Sequence, residues 1–444
     1  MNFELKPIAL NEKEAYTALS MLLFHNLVRI KKRMKRVMFY ALNDNVYIVK
    51  GSNRGCIYDF NSSNLYSINY KLTQQIDLVN KGKVLEDAVD EELEDILKKL
   101  IMKGILKLSV IPIKRQINEI ISGETECEFA WIEITKKCNL KCIHCYNESD
   151  DHNDMSMSLD NYKIVIDNLL KLGIKRIQII GGEPFWNRQS LRDMLNYTVG
   201  KFKFIEVFTN GTLITEDWFE FLAENNIYIA LSVYSYQEKM HNKVTRNENA
   251  WLKTNRTIEL LKSYGINYRV CNVLMKGIEV GKCNTDLYRI SDERDVVRMS
   301  GRANFSLLSD SLIKKKLITK KSFCKPINKS FVARLIAGHN CFQKDIYVSS
   351  DMNVFPCVME RRIKHGMIEN KGTIALDHSI RSFNKDKIKE CCQCEYRYVC
   401  FDCRPDSLSG DIYEKPWYCT YKPDLGIWED EEEFVAELKR KWGN

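Results

Sequence analysis

The sequence Cys138-Asn-Leu-Lys-Cys142-Ile-His-Cys145-Tyr146 places three cysteines in one short loop, with a C-x3-C-x2-C spacing. Three thiolates this close together can hold three irons of a [4Fe–4S] cluster, and the fourth iron then stays open to bind a substrate or a cofactor. Zinc is the main alternative, although its usual pattern is two C-x2-C pairs. The other alternative is that three buried thiols lie together by chance. The spacing therefore predicts an iron–sulfur cluster that does chemistry as well as carrying electrons.

A second motif lies one helix and one strand further along the chain. The apolar residues 177–180 predict a short strand that runs directly into Gly181-Gly182-Glu183-Pro184. Glycines allow the backbone to approach a ligand closely, and the carboxylate of Glu183 can pair with an ammonium group. The motif is weak on its own, and its position after the cysteine loop makes it informative.

With both motifs in place, the chain resembles the radical S-adenosylmethionine (radical SAM) enzymes. The resemblance implies that Cys138, Cys142 and Cys145 hold the catalytic [4Fe–4S] cluster and that residues 181–184 pair with the amino group of SAM. The family usually has an aromatic residue before the third cysteine, and His144, which stands there in this chain, is not expected to be a ligand. The cofactor-binding residues implied by the resemblance are Tyr146, Gly181, Gly182, Glu183, Pro184, Thr209, Asn210, Ser232 and Arg298.

Several of these assignments have alternatives. The Thr-Asn-Gly sequence at 209–211 resembles a family motif that frames SAM, but Asn-Gly is also a common turn. Ser232 either binds the SAM carboxylate or is a satisfied serine at a strand end. Arg298, together with Arg302, is a candidate partner for the carboxylates of SAM or the substrate.

The whole chain of 444 residues is long enough for two or three domains, and its 16 cysteines are unusually many. Residues 1–10 lack the pattern of a signal peptide, and no apolar run approaches the roughly 18 residues of a membrane helix. We therefore expect a cytoplasmic protein without a membrane partner, in which cysteines bind metal instead of forming disulfides. The net charge of +8 is spread along the sequence, so a nucleic-acid partner is not expected.

The segment 1–115 is predicted to form its own domain. It begins with a helical pattern at 12–35 whose basic end, Arg29–Arg36, is either a solvated face or a contact for an acidic peptide. The further predicted elements are strands at 46–50, 55–60 and 65–68 and helices at 70–80 and 89–103. This order resembles the winged-helix-like PqqD domain of peptide-modifying enzymes, which captures the leader of a precursor peptide as an added strand. A DNA-binding winged helix is the alternative.

From about residue 126, strands alternate with helices, which indicates a parallel sheet. The predicted strands lie at 129–134, 177–180, 204–209, 228–234 and 268–275, and the helices at 159–172, 189–199, 215–225 and 250–264. The radical SAM family builds a partial (β/α)6 barrel from such a pattern, so the expected fold class is α/β, with the barrel at 126–320. Active groups of such barrels follow the C-terminal strand ends, where both motifs fall.

A second set of cysteines occupies the C-terminal third. Two C-x2-C pairs start at Cys391 and Cys400, and further cysteines flank a hairpin predicted at 346–354. A zinc ribbon is disfavoured because only five residues separate the pairs, whereas ribbons need about 15–20. The spacing instead resembles the SPASM domain, expected here at 321–444, whose members bind two auxiliary [4Fe–4S] clusters. The resemblance implies an outer cluster on Cys391, Cys394, Cys400 and Cys419, and an inner cluster on Cys341, Cys357 and Cys403.

The inner set raises a question about its fourth ligand. Cys324 is the candidate, and if it does not bind, the cluster keeps an open iron that could take a substrate thiolate. The chain also has two residues between Cys400 and Cys403, where the family often has three. Cys392 is expected to be a bystander, and the isolated cysteines to be packed small hydrophobes, namely Cys56, Cys127, Cys271 and Cys283.

The resemblance implies a maturase that installs thioether cross-links, from cysteine sulfur to carbon, in a ribosomally synthesised, cysteine-rich precursor peptide. A 5′-deoxyadenosyl radical would start the reaction, residues 1–115 would bind the leader, and flavodoxin or ferredoxin would donate electrons. The same architecture also forms C–C or C–O cross-links, makes formylglycine, or decarboxylates a peptide end. An iron–sulfur DNA-binding redox sensor is the non-enzyme alternative, which residues 181–184 disfavour because a sensor needs no SAM site.

Overall fold

The computed structural model describes residues 39–82, 91–121, 126–284, 295–369, 373–407 and 409–442. The helix predicted at 12–35 and its basic end lie outside the described residues. Among those residues, no helix is both long and apolar enough to cross a membrane.

The N-terminal part is a small antiparallel sheet domain. Its elements are β1 (Phe39–Leu42), β2 (Val46–Lys50), β3 (Arg54–Asp59), β4 (Asn64–Asn69), α1 (Tyr70–Asn80), α2 (Glu91–Met102) and β5 (Leu106–Ser109). Strands β2, β3 and β4 pair in that order, and β1 pairs with β5. Asn69 ends β4 and caps α1, because its side chain accepts a hydrogen bond from the backbone N–H of Leu72 at 2.9 Å. The predicted order of three strands and two helices is therefore present, and α1 has the predicted bounds.

The central part is a parallel α/β barrel. Its elements are β6 (Phe129–Glu133), α3 (Leu159–Lys171), β7 (Arg176–Ile180), α4 (Arg188–Thr198), β8 (Phe204–Thr209), α5 (Asp217–Glu224), β9 (Tyr228–Ser232), α6 (Glu238–Thr245), α7 (Ala250–Ser263), β10 (Tyr268–Cys271), β11 (Val273–Leu274) and β12 (Asp295–Val296). Strands β6 to β10 pair in chain order, all in parallel, and β11 pairs in parallel with β12. The expected partial (β/α)6 barrel is thus confirmed.

Local sequence explains these helices well. In α3, Tyr162, Val165, Ile166 and Leu169 are spaced for one helical face, and all four are fully buried against the strands. The helix starts where Ser158 accepts a hydrogen bond from the backbone of Asn161. Helix α3 is therefore fixed against the sheet, which helps to position the loop between β6 and α3 that carries the cysteines.

The C-terminal part continues the barrel sheet. Its elements are α8 (Asp310–Lys316), α9 (Lys329–Ala337), α10 (Asn340–Lys344), β13 (Asp345–Val348), β14 (Asn353–Phe355), β15 (Gly366–Met367), α11 (His378–Arg381), β16 (Tyr421–Lys422), β17 (Ile427–Trp428) and α12 (Glu431–Trp442). Strand β13 pairs in parallel with β6, with Asp345 opposite Phe129 and Val348 opposite Ile132. The hairpin predicted at 346–354 is therefore present, and it extends the barrel to an eight-stranded sheet.

The β2–β3 hairpin of the N-terminal domain docks on the segment 393–397 of the C-terminal part. The backbone N–H of Ser52 donates to the carbonyl of Gln393 at 2.9 Å, and the buried Tyr58 hydroxyl donates to the carbonyl of Glu395 at 2.9 Å. A Cβ atom on Gly51 would lie 2.8 Å from the Gln393 oxygen and 2.8 Å from a carboxylate oxygen of Glu395. Only glycine fits at position 51 without a shift of this contact.

The strand predicted at 268–275 is wrong in one detail. It divides into β10 and β11 at Asn272, whose side-chain amide donates to the Val233 carbonyl at 2.7 Å. This side-chain hydrogen bond links the chain to the residue just after β9, at the point where the backbone turns toward β12. Helix α6, the two-residue strand β12 and the pair of β1 with β5 were not predicted.

Candidate active site

A cavity of about 240 Å³ opens where the barrel strands end. It brings together most of the predicted cofactor residues. Those that line it are Cys138, Cys142, Cys145, Tyr146, Gly181, Gly182, Thr209, Asn210, Ser232 and Arg298. Glu183 and Pro184 are buried and lie outside this lining.

The cysteine loop is fixed by backbone hydrogen bonds from several elements. The N–H of Cys138 donates to the Asp150 carbonyl at 2.9 Å, and that of Ile143 to the Val244 carbonyl at 3.0 Å. Arg302 donates from Nε to the Cys142 carbonyl at 2.9 Å and from Nη2 to the Ser149 carbonyl at 2.9 Å. The guanidinium of Arg302 therefore holds the loop, a different role from the carboxylate contact expected from sequence.

Two thiols of this loop, those of Cys138 and Cys142, resist ionisation in the protein alone. Burial, followed by the neighbouring thiol of Cys145, raises the pKa of Cys142 to about 12. Burial and then the carboxylate of Glu183 raise the pKa of Cys138 well above its usual range. Clustered buried thiols become thiolates when a metal compensates their charge, so this donor set fits an iron–sulfur cluster. The adjacent His144 is neutral, because burial lowers its pKa to about 4.

The two glycines of the second motif are required by the cysteine loop itself. A Cβ on Gly181 would lie 2.5 Å from the Thr135 carbonyl oxygen, and one on Gly182 would lie 2.3 Å from that of Lys137. The N–H of Gly182 donates to the Thr135 carbonyl at 2.7 Å. From sequence, these glycines were expected only to let the backbone approach a ligand. They also pack the strand end of β7 directly on the chain that leads into Cys138.

Glu183 points away from the cavity and organises its wall. One oxygen accepts from the Thr209 hydroxyl at 2.6 Å and from the Phe185 N–H at 3.0 Å, and the other accepts from the Asn210 N–H at 2.8 Å. Burial raises the pKa of Glu183 to about 6. The Asn210 amide in turn donates to the Asn139 side chain at 3.0 Å. Glu183 thus connects the strand end of β8 to the cysteine loop.

Replacing Glu183 with Gln is therefore expected to lower the free energy of unfolding by about 1–3 kcal/mol, because an amide donor would face the N–H of Asn210 inside the protein. SAM affinity should fall with it, since Asn210 lines the cavity. Thermal unfolding and equilibrium binding of SAM measure the two effects. Glu220→Gln, at an exposed carboxylate of α5, is the control; equal behaviour of both variants would contradict this role.

Cys271 departs from its prediction as a packed hydrophobe. It is half-buried, lines the cavity at the end of β10, and accepts a hydrogen bond from Nη1 of Arg269 at 2.9 Å. Arg269 also binds both carboxylate oxygens of the buried Glu206, at 2.8 and 2.9 Å. The barrel interior is therefore polar next to this thiol. Cys56 and Cys127 are buried as expected, and Cys283 packs on the barrel core.

Two of the three predicted inner ligands, Cys341 and Cys357, share one environment. Cys341 and Cys357 pack against the hydrophobic cluster that includes Phe342 and Ile388, and burial followed by Cys357 raises the pKa of Cys341 to about 12. Burial also raises the pKa of Cys403, whose charge environment includes Cys357. Cys324 packs on a different and larger hydrophobic cluster.

The four predicted outer ligands surround a second cavity. It is lined by Cys391, Cys394, Cys400 and Cys419 together with Phe323 and Trp428. Burial, followed by Cys391, raises the pKa of Cys419 to about 11. Cys392 is exposed, in keeping with its interpretation as a bystander. In the described parts of the chain, no three His, Cys, Asp or Glu side chains converge closely enough to hold a single metal ion; the thiols surround larger spaces.

Sequence reasoning missed several residues that line the active-site cavity. Tyr234 stacks edge-on against His144 with ring centroids 4.6 Å apart, and Asp295 and Met359 reach the cavity from beyond β11. The aromatic ring could have been inferred from its place two residues beyond β9. Asp295 and Met359 carry no local signal, because their position depends on long-range packing.

Comparison with known proteins identifies the class. The sequence profile of the Radical SAM superfamily matches residues 132–282, which contain the cysteine loop and the strand ends up to Cys271. Residues 132–282 are a radical SAM domain, the domain that defines the radical SAM class of enzymes. The cofactors of this class are a [4Fe–4S] cluster and SAM, which the three loop cysteines and the adjoining cavity fit.

Relatives narrow the comparison further. The chain is 28% identical over 264 residues to the antilisterial bacteriocin subtilosin biosynthesis protein AlbA of Bacillus subtilis (strain 168), covering 56% of this chain and 57% of AlbA. It is 29% identical over 177 residues to the cysteine-type anaerobic sulfatase-maturating enzyme of Clostridium perfringens (strain 13 / Type A), covering 36% of this chain and 46% of that enzyme. The chain thus spans about half the length of these curated relatives. The crystal structure of Streptococcus suis SuiB is similar with a TM-score of 0.46 and 12% identity, covering 86% of this chain and 100% of that chain.

Proposed function

We propose that this enzyme is a maturase that installs thioether cross-links, from cysteine sulfur to carbon, in a ribosomally synthesised, cysteine-rich precursor peptide. The observation that carries the proposal is that Arg298 lines the triad cavity and also donates to Cys403 of the inner set. One site therefore adjoins both sets of cysteines. The relatives support a peptide or protein substrate, since AlbA is named for bacteriocin biosynthesis and the other for sulfatase maturation.

The residues of the cavity have separate tasks. Cys138, Cys142 and Cys145 would hold the catalytic cluster, and the backbone at 181–182 would border SAM. When bound, these cofactors supply a 5′-deoxyadenosyl radical that removes a hydrogen atom from a carbon of the peptide. Ser232 lines the same cavity and is available to a polar group of SAM. Tyr234 lines the cavity just beyond β9, and its ring would help to exclude water, which protects a radical from side reactions.

The second set of cysteines, in the C-terminal third, supports a thioether product. Cys341, Cys357 and Cys403 would hold the inner auxiliary cluster, and the four cysteines around the second cavity the outer one. Because Cys324 packs elsewhere, the inner cluster would have three protein ligands and an open iron. The thiolate of a substrate cysteine could bind such an iron near the reacting carbon, and the electron released when the C–S bond forms would pass to this cluster.

The N-terminal sheet domain is proposed to bind the leader. Within the described residues, β2 and β4 are the edges of their three-stranded sheet, so either offers backbone groups to an added strand. We propose the domain ranges 1–115, 126–320 and 321–444. Flavodoxin or ferredoxin would supply electrons, and the reducing cytoplasm suits an enzyme that depends on free thiolates.

Co-expression with the short cysteine-rich reading frame nearest its gene tests the proposal by mass spectrometry. The peptide is expected to lose two hydrogens for each cross-link and to lose one alkylatable thiol, and reductant should not restore either. The variant lacking the three loop cysteines is the control. A mass loss with every thiol still alkylatable would favour C–C or C–O cross-links, and a loss that reductant reverses would show only disulfides.

A further inference from the structure

Arg298 lies between the three loop cysteines and the inner set of C-terminal cysteines. Its side chain lines the active-site cavity, and Nη1 donates a hydrogen bond to the sulfur of Cys403. Nη2 donates to Asp295 at 2.7 Å. An arginine guanidinium keeps its charge in proteins, so the cation at this sulfur is permanent.

Two further charged groups complete this buried cluster. Asp406 is 3% exposed, and its carboxylate lies 3.9 Å from Nη1 of Arg298 and 3.0 Å from Nζ of Lys316. The backbone N–H of Cys403 donates to the Tyr418 hydroxyl at 2.9 Å. Two cations, Arg298 and Lys316, and two carboxylates, Asp406 and Asp295, thus form one charge cluster, in which Arg298 donates to the sulfur of Cys403.

We propose that Arg298 is a positioning residue that raises the reduction potential of the inner auxiliary cluster, through its hydrogen bond to the sulfur of Cys403 and through its charge. Hydrogen bonds to ligand sulfurs and nearby positive charge both favour the more negative, reduced cluster. The proposal rests on the inner cluster assigned under the proposed function. It gives Arg298 a role different from the SAM contact that the resemblance implied.

The test measures the potential itself in protein that lacks the catalytic cluster. In a background with Cys138, Cys142 and Cys145 changed to alanine, an anaerobic redox titration followed by electron paramagnetic resonance reports the auxiliary clusters alone. Arg298→Gln is expected to lower the potential of one of the two components by about 59 mV or more, which is a tenfold change for a one-electron couple. Arg298→Lys keeps the charge and should shift it less, and Lys316→Gln should shift it in the same direction as Arg298→Gln.

Arg256→Gln is the matched control, because it removes the same charge at another place. The Arg256 guanidinium is 70% exposed, in an ion pair with Glu216 on the barrel surface. Unchanged potentials in Arg298→Gln and Lys316→Gln, with iron content retained, would overturn the proposal. So would weakened SAM affinity of Arg298→Gln in the triad-intact enzyme with no shift of potential, which would favour the SAM contact instead. If Arg298→Gln loses iron, the shifts of potential in Arg298→Lys and Lys316→Gln decide whether the proposal stands. About four irons per wild-type chain would show that the auxiliary clusters are absent. That result would overturn this inference and leave the radical SAM assignment intact.

Discussion

Changing Cys138, Cys142 and Cys145 together to alanine is expected to abolish SAM cleavage and to leave about eight of about twelve irons per chain, at four irons per cluster. The loop donates hydrogen bonds to the carbonyls of Asp150 and Val244 and accepts one from Arg302, and none of these involves the thiols. Its backbone should therefore keep its shape while the donor set is lost. The two other cysteine sets lie beyond the barrel and keep their ligands.

Iron and zinc analysis of anaerobically reconstituted protein, with assay of 5′-deoxyadenosine under strong reductant, measures both effects. Cys392→Ala is the control, since this exposed thiol belongs to no proposed set. An unaltered yield of 5′-deoxyadenosine in the triple variant would refute the assignment of the triad. Zinc near one equivalent with iron near four would instead support a zinc ribbon in the C-terminal field.

The second large effect is expected from Gly51→Val, which should reduce peptide modification by about tenfold or more while SAM cleavage without peptide changes little. Valine would place a carbon 2.8 Å from oxygens of both Gln393 and Glu395. The hairpin must then move, and about 1.4 kcal/mol of lost docking corresponds to a tenfold change in the docked fraction. If the N-terminal sheet binds the leader, an undocked sheet no longer presents the peptide to the cavity.

Comparison of modification and uncoupled SAM cleavage in the same preparation separates the two activities. Limited proteolysis between the N-terminal domain and β6 reports undocking directly. Tyr70→Val is the control, because Tyr70 belongs to the same domain and is 55% exposed. Full modification by an undocked Gly51→Val protein would show that the sheet does not present the substrate.

Much of the fold follows from short-range patterns. The apolar spacing of 159–172 and the run at 177–180 predict α3 and β7 to within one residue, because each element buries one continuous face. The cysteine loop and the residues after β7 were predicted for a similar reason. Each motif is one continuous stretch, and its residue types alone indicate the chemistry.

What the sequence did not predict depends on partners far away in the chain. Cys271 was assigned to the core because a single cysteine carries no sign of Arg269 or of the cavity beside it. The hydrogen bonds of Glu183 to Thr209 and Asn210 were not predicted, because they depend on where β8 ends. The contact of Ser52 with Gln393 joins residues that no local pattern relates.

The pairing of β13 with β6 limits how this enzyme can be divided or recombined. Ala130 and Ile132 of β6 are fully buried, and the backbone on that side of the strand is bonded to residues 345–348. A barrel produced without the C-terminal part would expose a central strand as a new edge, which is a template for aggregation. The C-terminal part is thus a structural member of the barrel sheet, and a chimaera that exchanges either part alone has to restore the pairing of β13 with β6.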